Sequence, residues 1–213
     1  MKYIRKSEEP ESFTAWKKLA NDDWNPSWED LRKPEKTYVH NSLLQEQGFI
    51  CCYCGRIITR DTSHIEHLKP RATYAKLALE YTNLLASCQR EREPKEPLHC
   101  GSKKDKWYDE HLMVSPLDIN CGQYFRYTED GQILSTEVTD KKSAANTTIE
   151  QLGLNIQKLK TMRSQAIAAI LEGFEELTED ERQRLFQAFC QPNAQGQYEE
   201  FCAAIAYIIK QHI

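Results

Sequence analysis

Apolar residues recur at three- and four-residue spacing near the start of the chain, the spacing shortens in the middle, and the helical period returns only from about Ala144 onward. The stretch "ESFTAWKKLA" (residues 11–20) places Phe13, Trp16 and Leu19 or Ala20 on one face, which predicts a helix. "NDDWNPSWED" interrupts it, and a second helix is expected from Pro34 to Gln47, stopped at Gly48. Residues 49–61 read as a cysteine knuckle with a short hairpin, and 62–70 as a strand or loop ending at Pro70. A helix is expected over 72–79, with Tyr81 to Leu85 opening the next. "EREPKEPLHCGSKKDK" (residues 91–106) is a polar, proline-bearing loop whose residues can converge on a site without disturbing a core. Asp130-Gly131 between alternating residues in "YFRYTEDGQILSTEV" signals a hairpin. Beyond it, Leu154, Leu159, Met162, Ala166, Ile170 and Phe174 keep helical spacing, and "TEDE" (residues 178–181) fits a capping box. A last helix is expected over about 198–211, carrying Phe201, Ile205 and Ile208.

This pattern divides the chain into a helical segment (1–48), a central region (49–143) and a helical tail (144–213) that reads as a packing or partner-binding module. The 213 residues suffice for one large domain or two small ones, and a charged fraction of 28% is that of an ordinary globular protein. No apolar run approaches the roughly 18 residues of a membrane span, and "MKYIRKSEEPESF" holds no apolar signal core, so a cytoplasmic protein is expected.

Eight cysteines in a chain of this size favour metal or redox chemistry over a secreted disulfide scaffold. Redox chemistry needs a thioredoxin-like strand and helix around a Cys-x-x-Cys pair, whereas "CCYCG" runs into "RIITR", a turn followed by a short strand. Cys51 and Cys54 therefore read as half of a tetrahedral thiolate site, with Cys88 and Cys100 the nearest candidates for the other half. Cys52 is expected to be buried beside the site, and Cys190 and Cys202 to be small buried hydrophobes. Trp24 and Trp28 read as packing residues, and His40, His111 and His212, which have no companions in sequence, as structural.

Between the cysteine pairs lies "HIEHLKPR" (residues 64–71). A carboxylate next to an imidazole can divide the labour of phosphodiester hydrolysis: Glu66 holds a hard cation such as Mg²⁺ and neutral His67 takes a proton from the attacking water. His-x-Glu also occurs in zinc nucleobase deaminases, but those require a downstream Pro-Cys-x-x-Cys, and here the Cys-x-x-Cys lies upstream. His64 keeps three readings: phosphate binding, orientation of the site, or plain exposure.

Charge adds a direction. From Cys51 to Lys106 there are 11 Lys and Arg against 7 Asp and Glu, a local +4 that leaves −8 on the rest of a chain whose net charge is −4. A polyanion would settle on this segment, and Lys69, Arg71, Lys103 and Lys104 are natural phosphate contacts.

"QEQGFICCYCG", "HIEHLKPR", "YTNLLASC" and "HCGSKKDKWYDE" together resemble a zinc-bracketed HNH endonuclease, and more narrowly the family that includes the nuclease subunit of the Septu anti-phage system (PtuB), also found with retrons. The resemblance extends through "SPLDINCGQYFRYTEDGQIL" and "IEQLGLNIQKL", most of the chain. It implies an α+β protein in which a zinc-bracketed ββα-metal (HNH) core is embedded in a mainly helical chain. It further implies structural Zn²⁺ on the four cysteines, catalytic Mg²⁺ or Mn²⁺, His67 as general base, Glu66 as first metal ligand and Asn83 as the central Asn that orients loop and base. Where such enzymes supply His or Asn beside the last cysteine, this chain has Gly101 and Ser102. Asp105 is the preferred substitute metal ligand, with His99 nearly equal. The implied activity is hydrolysis of DNA in anti-phage defence with a partner PtuA-like ATPase. Two alternatives stand beside it: an RNA (tRNA)-cleaving effector, and a catalytically silent zinc module that only binds nucleic acid or protein.

Overall fold

The computed structural model describes residues 1–90 and 94–213, so the first three residues of the loop expected over 91–106 lie outside the described residues. The architecture is α+β: seven α-helices and two small antiparallel sheets are found among the described residues. No helix among them is long and apolar enough to cross a membrane.

Two helices open the chain, α1 (Glu11–Lys17) and α2 (Glu35–Glu46), each close to the range its apolar spacing predicts. Phe13 of α1 and Val39 and Leu43 of α2 are fully buried and pin the pair together. Gln47, just past α2, is also buried. Its amide donates to the carbonyls of Ile50 and Ala86 and accepts from the Ala86 amide at 2.7 Å, tying helix, knuckle and sheet at one point.

The first sheet pairs β1 (Ser63–His67) with β2 (Leu84–Cys88), with His64 opposite Ser87 and Glu66 opposite Leu85. The expected helix start at Tyr81 is instead a single 3-10 turn, Tyr81–Asn83, followed directly by β2. The five residues "LLASC" are buried on both faces, and so short an apolar run has no periodicity to separate strand from helix. The helix expected over 72–79 is likewise reduced to one 3-10 turn, Ala75–Leu77. Half of its residues are exposed and none is fully buried, so little core face is left to hold a longer helix. Conversely, part of the expected polar loop is a short helix, α3 (Cys100–Lys104), laid against β2.

The second sheet is the predicted hairpin, β3 (Phe125–Tyr127) and β4 (Ile133–Ser135). Gly131 is obligatory in its turn: its φ is +81°, and a Cβ there would stand 2.0 Å from the Lys160 carbonyl oxygen. Four helices follow: α4 (Thr139–Gln151), α5 (Gln157–Leu171), α6 (Glu179–Cys190) and α7 (Cys202–Ile209). The capping box at Thr178 and Glu181 opens α6 as expected. Arg163 of α5 is wholly buried and donates to the carbonyls of Gly131 and Leu154, locking the hairpin turn to the helices. The tail returns to the cysteine knuckle, where the Tyr198 and Phe201 amides donate to the carbonyls of Gly48 and Gly55.

Candidate metal and nucleic-acid site

Four cysteines converge at the junction of knuckle, sheet and α3. Cys51 and Cys54 come from the knuckle, whose turn needs Gly55 at φ +78°, Cys88 ends β2 and Cys100 begins α3. All four are buried, and their sulfurs lie within 4.8 Å of one another. The Cys54 and Cys88 sulfurs are 3.7 Å apart, against an edge of about 3.8 Å for sulfurs held tetrahedrally about 2.3 Å from zinc. Donor set and spacing therefore fit a structural metal ion. Burial raises the Cys100 thiol, whereas at Cys51 hydrogen bonds from the neighbouring thiols, Cys100 first, overcome burial and hold it well below the usual range. Cys52 is buried outside the quartet, and burial raises its thiol. Cys202 is buried as well, whereas Cys190 is only half-buried, near a surface that Lys2 reaches.

β1 directs His64 and Glu66 to a common face, as its period of two requires. Glu66 Oε2 lies 3.4 Å from His64 Nε2, and Oε1 lies 2.9 Å from the Lys104 ammonium and accepts from the Tyr53 hydroxyl at 3.2 Å. Burial acts to raise the Glu66 carboxyl, but the His64 imidazole and the Lys104 ammonium outweigh it and hold the group below the usual carboxylate range. α3 closes over this pair at Gly101, where a Cβ would meet Glu66 Oε2 at 2.5 Å and His64 Nε2 at 2.8 Å. The side chain missing from Gly101 is thus the room that His64 and Glu66 occupy.

His67 ends β1 with 8% exposure. Its Nε2 is 3.0 Å from the Ala78 carbonyl, which can only accept, so Nε2 carries the proton and Nδ1 keeps its lone pair. Trp28 stands edge-on to the imidazole with ring centroids 4.3 Å apart. Burial is the main cause that pushes His67 down to about 4, leaving a neutral base at physiological pH. Asn83 supports this arrangement from behind: its side chain accepts from the Lys69 amide and donates to the Lys69 and Leu77 carbonyls, fixing the loop that carries Ala78.

Glu66, His67, Gly101 and Asp105 share a cleft of about 500 Å³ with Arg71 and Lys106 on its rim. Asp105 caps α3 in the left-handed region (φ +44°), and Cys100 (+54°) and Gln89 (+67°) also have positive φ, so non-glycine strain of about 1–3 kcal/mol per residue brackets α3. His99, the other expected substitute ligand, is fully buried on the thiolate side, with Nδ1 3.3 Å from the Cys100 sulfur and 3.6 Å from that of Cys88. It does not line the cleft.

The expected phosphate contacts separate. Arg71 is exposed at the cleft, paired with Glu29 at 2.6 Å and close to the Trp28 ring, and Lys69 reaches Glu110 at 2.9 Å. Lys103 is exposed but donates to the Glu150 carbonyl. Lys104 is the exception to the expected surface role: it is 2% exposed, because its ammonium neutralises Glu66 and donates to the His67 carbonyl. That inward role, and the contacts of Tyr53 and Trp28, escape sequence reading because their partners are distant in the chain.

No protein-family model matches the chain. It is similar to a protein of Vibrio cholerae serotype O1 biovar El Tor described as "Retron Vc95 putative HNH endonuclease", with 30% identity over 141 residues. The match covers 64% of this chain and 66% of that protein, so the chain spans just under two thirds of that relative's length.

Proposed function

We propose, on the premise of that similarity, that the chain is a metal-dependent HNH endonuclease that hydrolyses DNA phosphodiester bonds, with β1, β2 and α3 as its ββα-metal core. The observation that carries this reading is one cleft holding a neutral, directionally anchored imidazole beside a buried anionic carboxylate. The Cys51, Cys54, Cys88 and Cys100 quartet holds zinc as scaffold.

His67 Nδ1 takes the proton of the attacking water, and the Ala78 carbonyl keeps the ring from rotating as it does so. Glu66 Oε2 and His64 Nε2, 3.4 Å apart, would hold the cation, with Asp105 on the same cleft as Glu66 to complete the set. The ion, Mg²⁺ or Mn²⁺, supplies charge stabilisation at the phosphate and leaving oxygen when bound. Lys104 keeps Glu66 ionised and in place, and Arg71 and Lys106 at the rim meet the substrate backbone. Anti-phage defence in the cytoplasm, with a PtuA-like ATPase docked on the helical tail, completes the proposal; the resemblance of the motifs supports it.

A second reading, a zinc module that binds nucleic acid without cutting it, draws on Gly101, which offers no side chain to a catalytic cation at the position beside Cys100. Nicking of supercoiled plasmid in Mg²⁺ or Mn²⁺ separates the two. Wild type is expected to nick and a His67→Ala protein that retains zinc is not, while equal activity in both would overturn His67 as base. Matched DNA and RNA strands in the same assay assign the sugar.

A further inference from the structure

Across His64 from the cleft lies a second cavity of about 380 Å³, lined by Lys33, Lys36, His40, Arg60, Ser63, His64 and Arg90, with Asp61 as its acidic member. The two cavities share Ile65, and His64 forms the wall of one while touching Glu66 of the other. Four permanent cations therefore face one carboxylate in a chain whose net charge is −4. Lys33 and Arg60 have no carboxylate partner among the described residues, Lys36 lies only over the Trp28 ring, and Arg90 reaches Asp61 at 4.0 Å while donating to the Arg60 carbonyl. Asp61 is itself largely exposed, so it screens little of this charge. The cations come from three separate segments: Lys33 and Lys36 from the start of α2 and the turn before it, Arg60 from the turn before β1, and Arg90 from the second position after β2. Holding like charges together from three directions is unfavourable unless an anion occupies the space between them.

We propose that this second cavity is a phosphate subsite that grips the backbone of the same polynucleotide strand whose phosphodiester occupies the Glu66 and His67 cleft. The inference rests on the nuclease reading and deepens it, because it assigns a path to the strand. The cavities adjoin at Ile65, the middle residue of β1, one reaching Ser63 and the other His67. Adjoining cavities can take neighbouring phosphates of one strand, so a single strand can fill both. His64 then works at the boundary between the subsite and the cleft.

Binding of a labelled DNA strand to the His67→Ala protein, without divalent ions and across a salt series, tests this. Lys33→Glu and Arg60→Glu alter two separate exposed positions, and Lys210→Glu at the end of α7 makes the same charge change far along the chain. In the subsite variants the slope of log affinity against log salt is expected to fall by roughly 0.7–0.9 for each phosphate ion pair removed, and Lys210→Glu is expected to leave it unchanged. Unchanged slopes in both subsite variants, with melting temperatures preserved, would overturn the subsite. Displacement of the strand by inorganic phosphate at constant ionic strength, far more readily from the parent than from the variants, would assign the cavity to a free phosphate instead and also overturn it. Plasmid nicking by the otherwise wild-type chain keeps the two readings apart. Nicking with unchanged slopes removes only the subsite, whereas reduced slopes without nicking support the subsite and remove the nuclease. No binding by any protein overturns both.

Discussion

The Lys104 ammonium lies 2.9 Å from Glu66 Oε1 with both side chains buried, and the same ammonium donates to the His67 carbonyl at 3.0 Å. One residue of α3 thus fixes the two adjacent residues of β1 on which the proposed chemistry depends. Lys104→Met keeps the aliphatic bulk and removes the charge, leaving the Glu66 carboxylate buried with only His64 and Tyr53. The expected cost is about 3–5 kcal/mol, read by urea unfolding near neutral pH. The pH dependence has a definite sign. A carboxyl held below its ordinary value of 4.5 stabilises the fold above that pH, and the contribution is lost as the pH falls through its folded value. The gap between wild type and variant should therefore narrow below about pH 4.5. A gap that stays constant into stronger acid would show that Lys104 acts by packing alone.

The metal quartet makes a sharper distinction among neighbouring residues. Cys54→Ser removes a sulfur from the cluster, whereas Cys52→Ala alters a buried thiol outside it. Purified wild type and Cys52→Ala are expected to carry one zinc per chain by elemental analysis, and Cys54→Ser close to none. Structural zinc contributes about 10–16 kcal/mol of apparent binding free energy to folding in small domains, so Cys54→Ser should also melt at markedly lower temperature. Equal zinc content in Cys54→Ser and wild type would remove the quartet as a metal site.

What the sequence reveals of this arrangement follows physical range. Thr178 and Glu181, and Asp130 and Gly131, are legible because their partners lie within a few residues, where capping and turn chemistry act. Leu84 to Cys88 is misread because its strand identity comes from pairing with β1, remote in sequence, and burial on both faces erases the alternation. The cysteine pairs and the Glu66-His67 dipeptide stand out by residue type. Lys104 looks like any lysine in a basic run, and only the position of α3 against β1 turns it inward. Lys33, Lys36, Arg60 and Arg90 carry no local signal of a common cavity, since three segments meet there only in the fold.

His40 offers a test of burial that is independent of the proposed chemistry. Its Nε2 is 2.9 Å from the Ser63 hydroxyl, and burial first, then the nearby Arg90, His64 and Arg60, pushes the imidazole down to about 4. The unfolded chain takes up this proton near 6.5, so between those values the unfolded state binds more protons and the fold loses stability as the pH falls. His40→Asn retains a partner for Ser63 and no ionisable group. Its unfolding free energy should decline less than that of wild type between pH 6.5 and about 4. Parallel declines would mean that His40 titrates alike in both states.

The relation between Gly101 and His64 gives the most specific prediction for the site. A Cβ at residue 101 would stand 2.5 Å from Glu66 Oε2 and 2.8 Å from His64 Nε2, so even Gly101→Ala must displace one of the two groups. Alanine is otherwise favoured over glycine in a helix by about 1 kcal/mol, so the substitution does not threaten α3 itself. Nicking should nevertheless fall by about 10–100-fold, the range seen when the support of a metal ligand is disturbed, with the melting temperature little changed. If His64 from the strand does the work that a residue of α3 would otherwise do, moving the donor back should restore function. His64→Ala removes one of the two groups in the way and lets the Glu66 carboxylate shift toward the space it leaves, and Gly101→Asn in that background supplies an oxygen from the helix. The double variant is then expected to nick faster than either single variant. A double variant no better than the worse single one would show that His64 serves the site in some way a helix-borne ligand cannot replace.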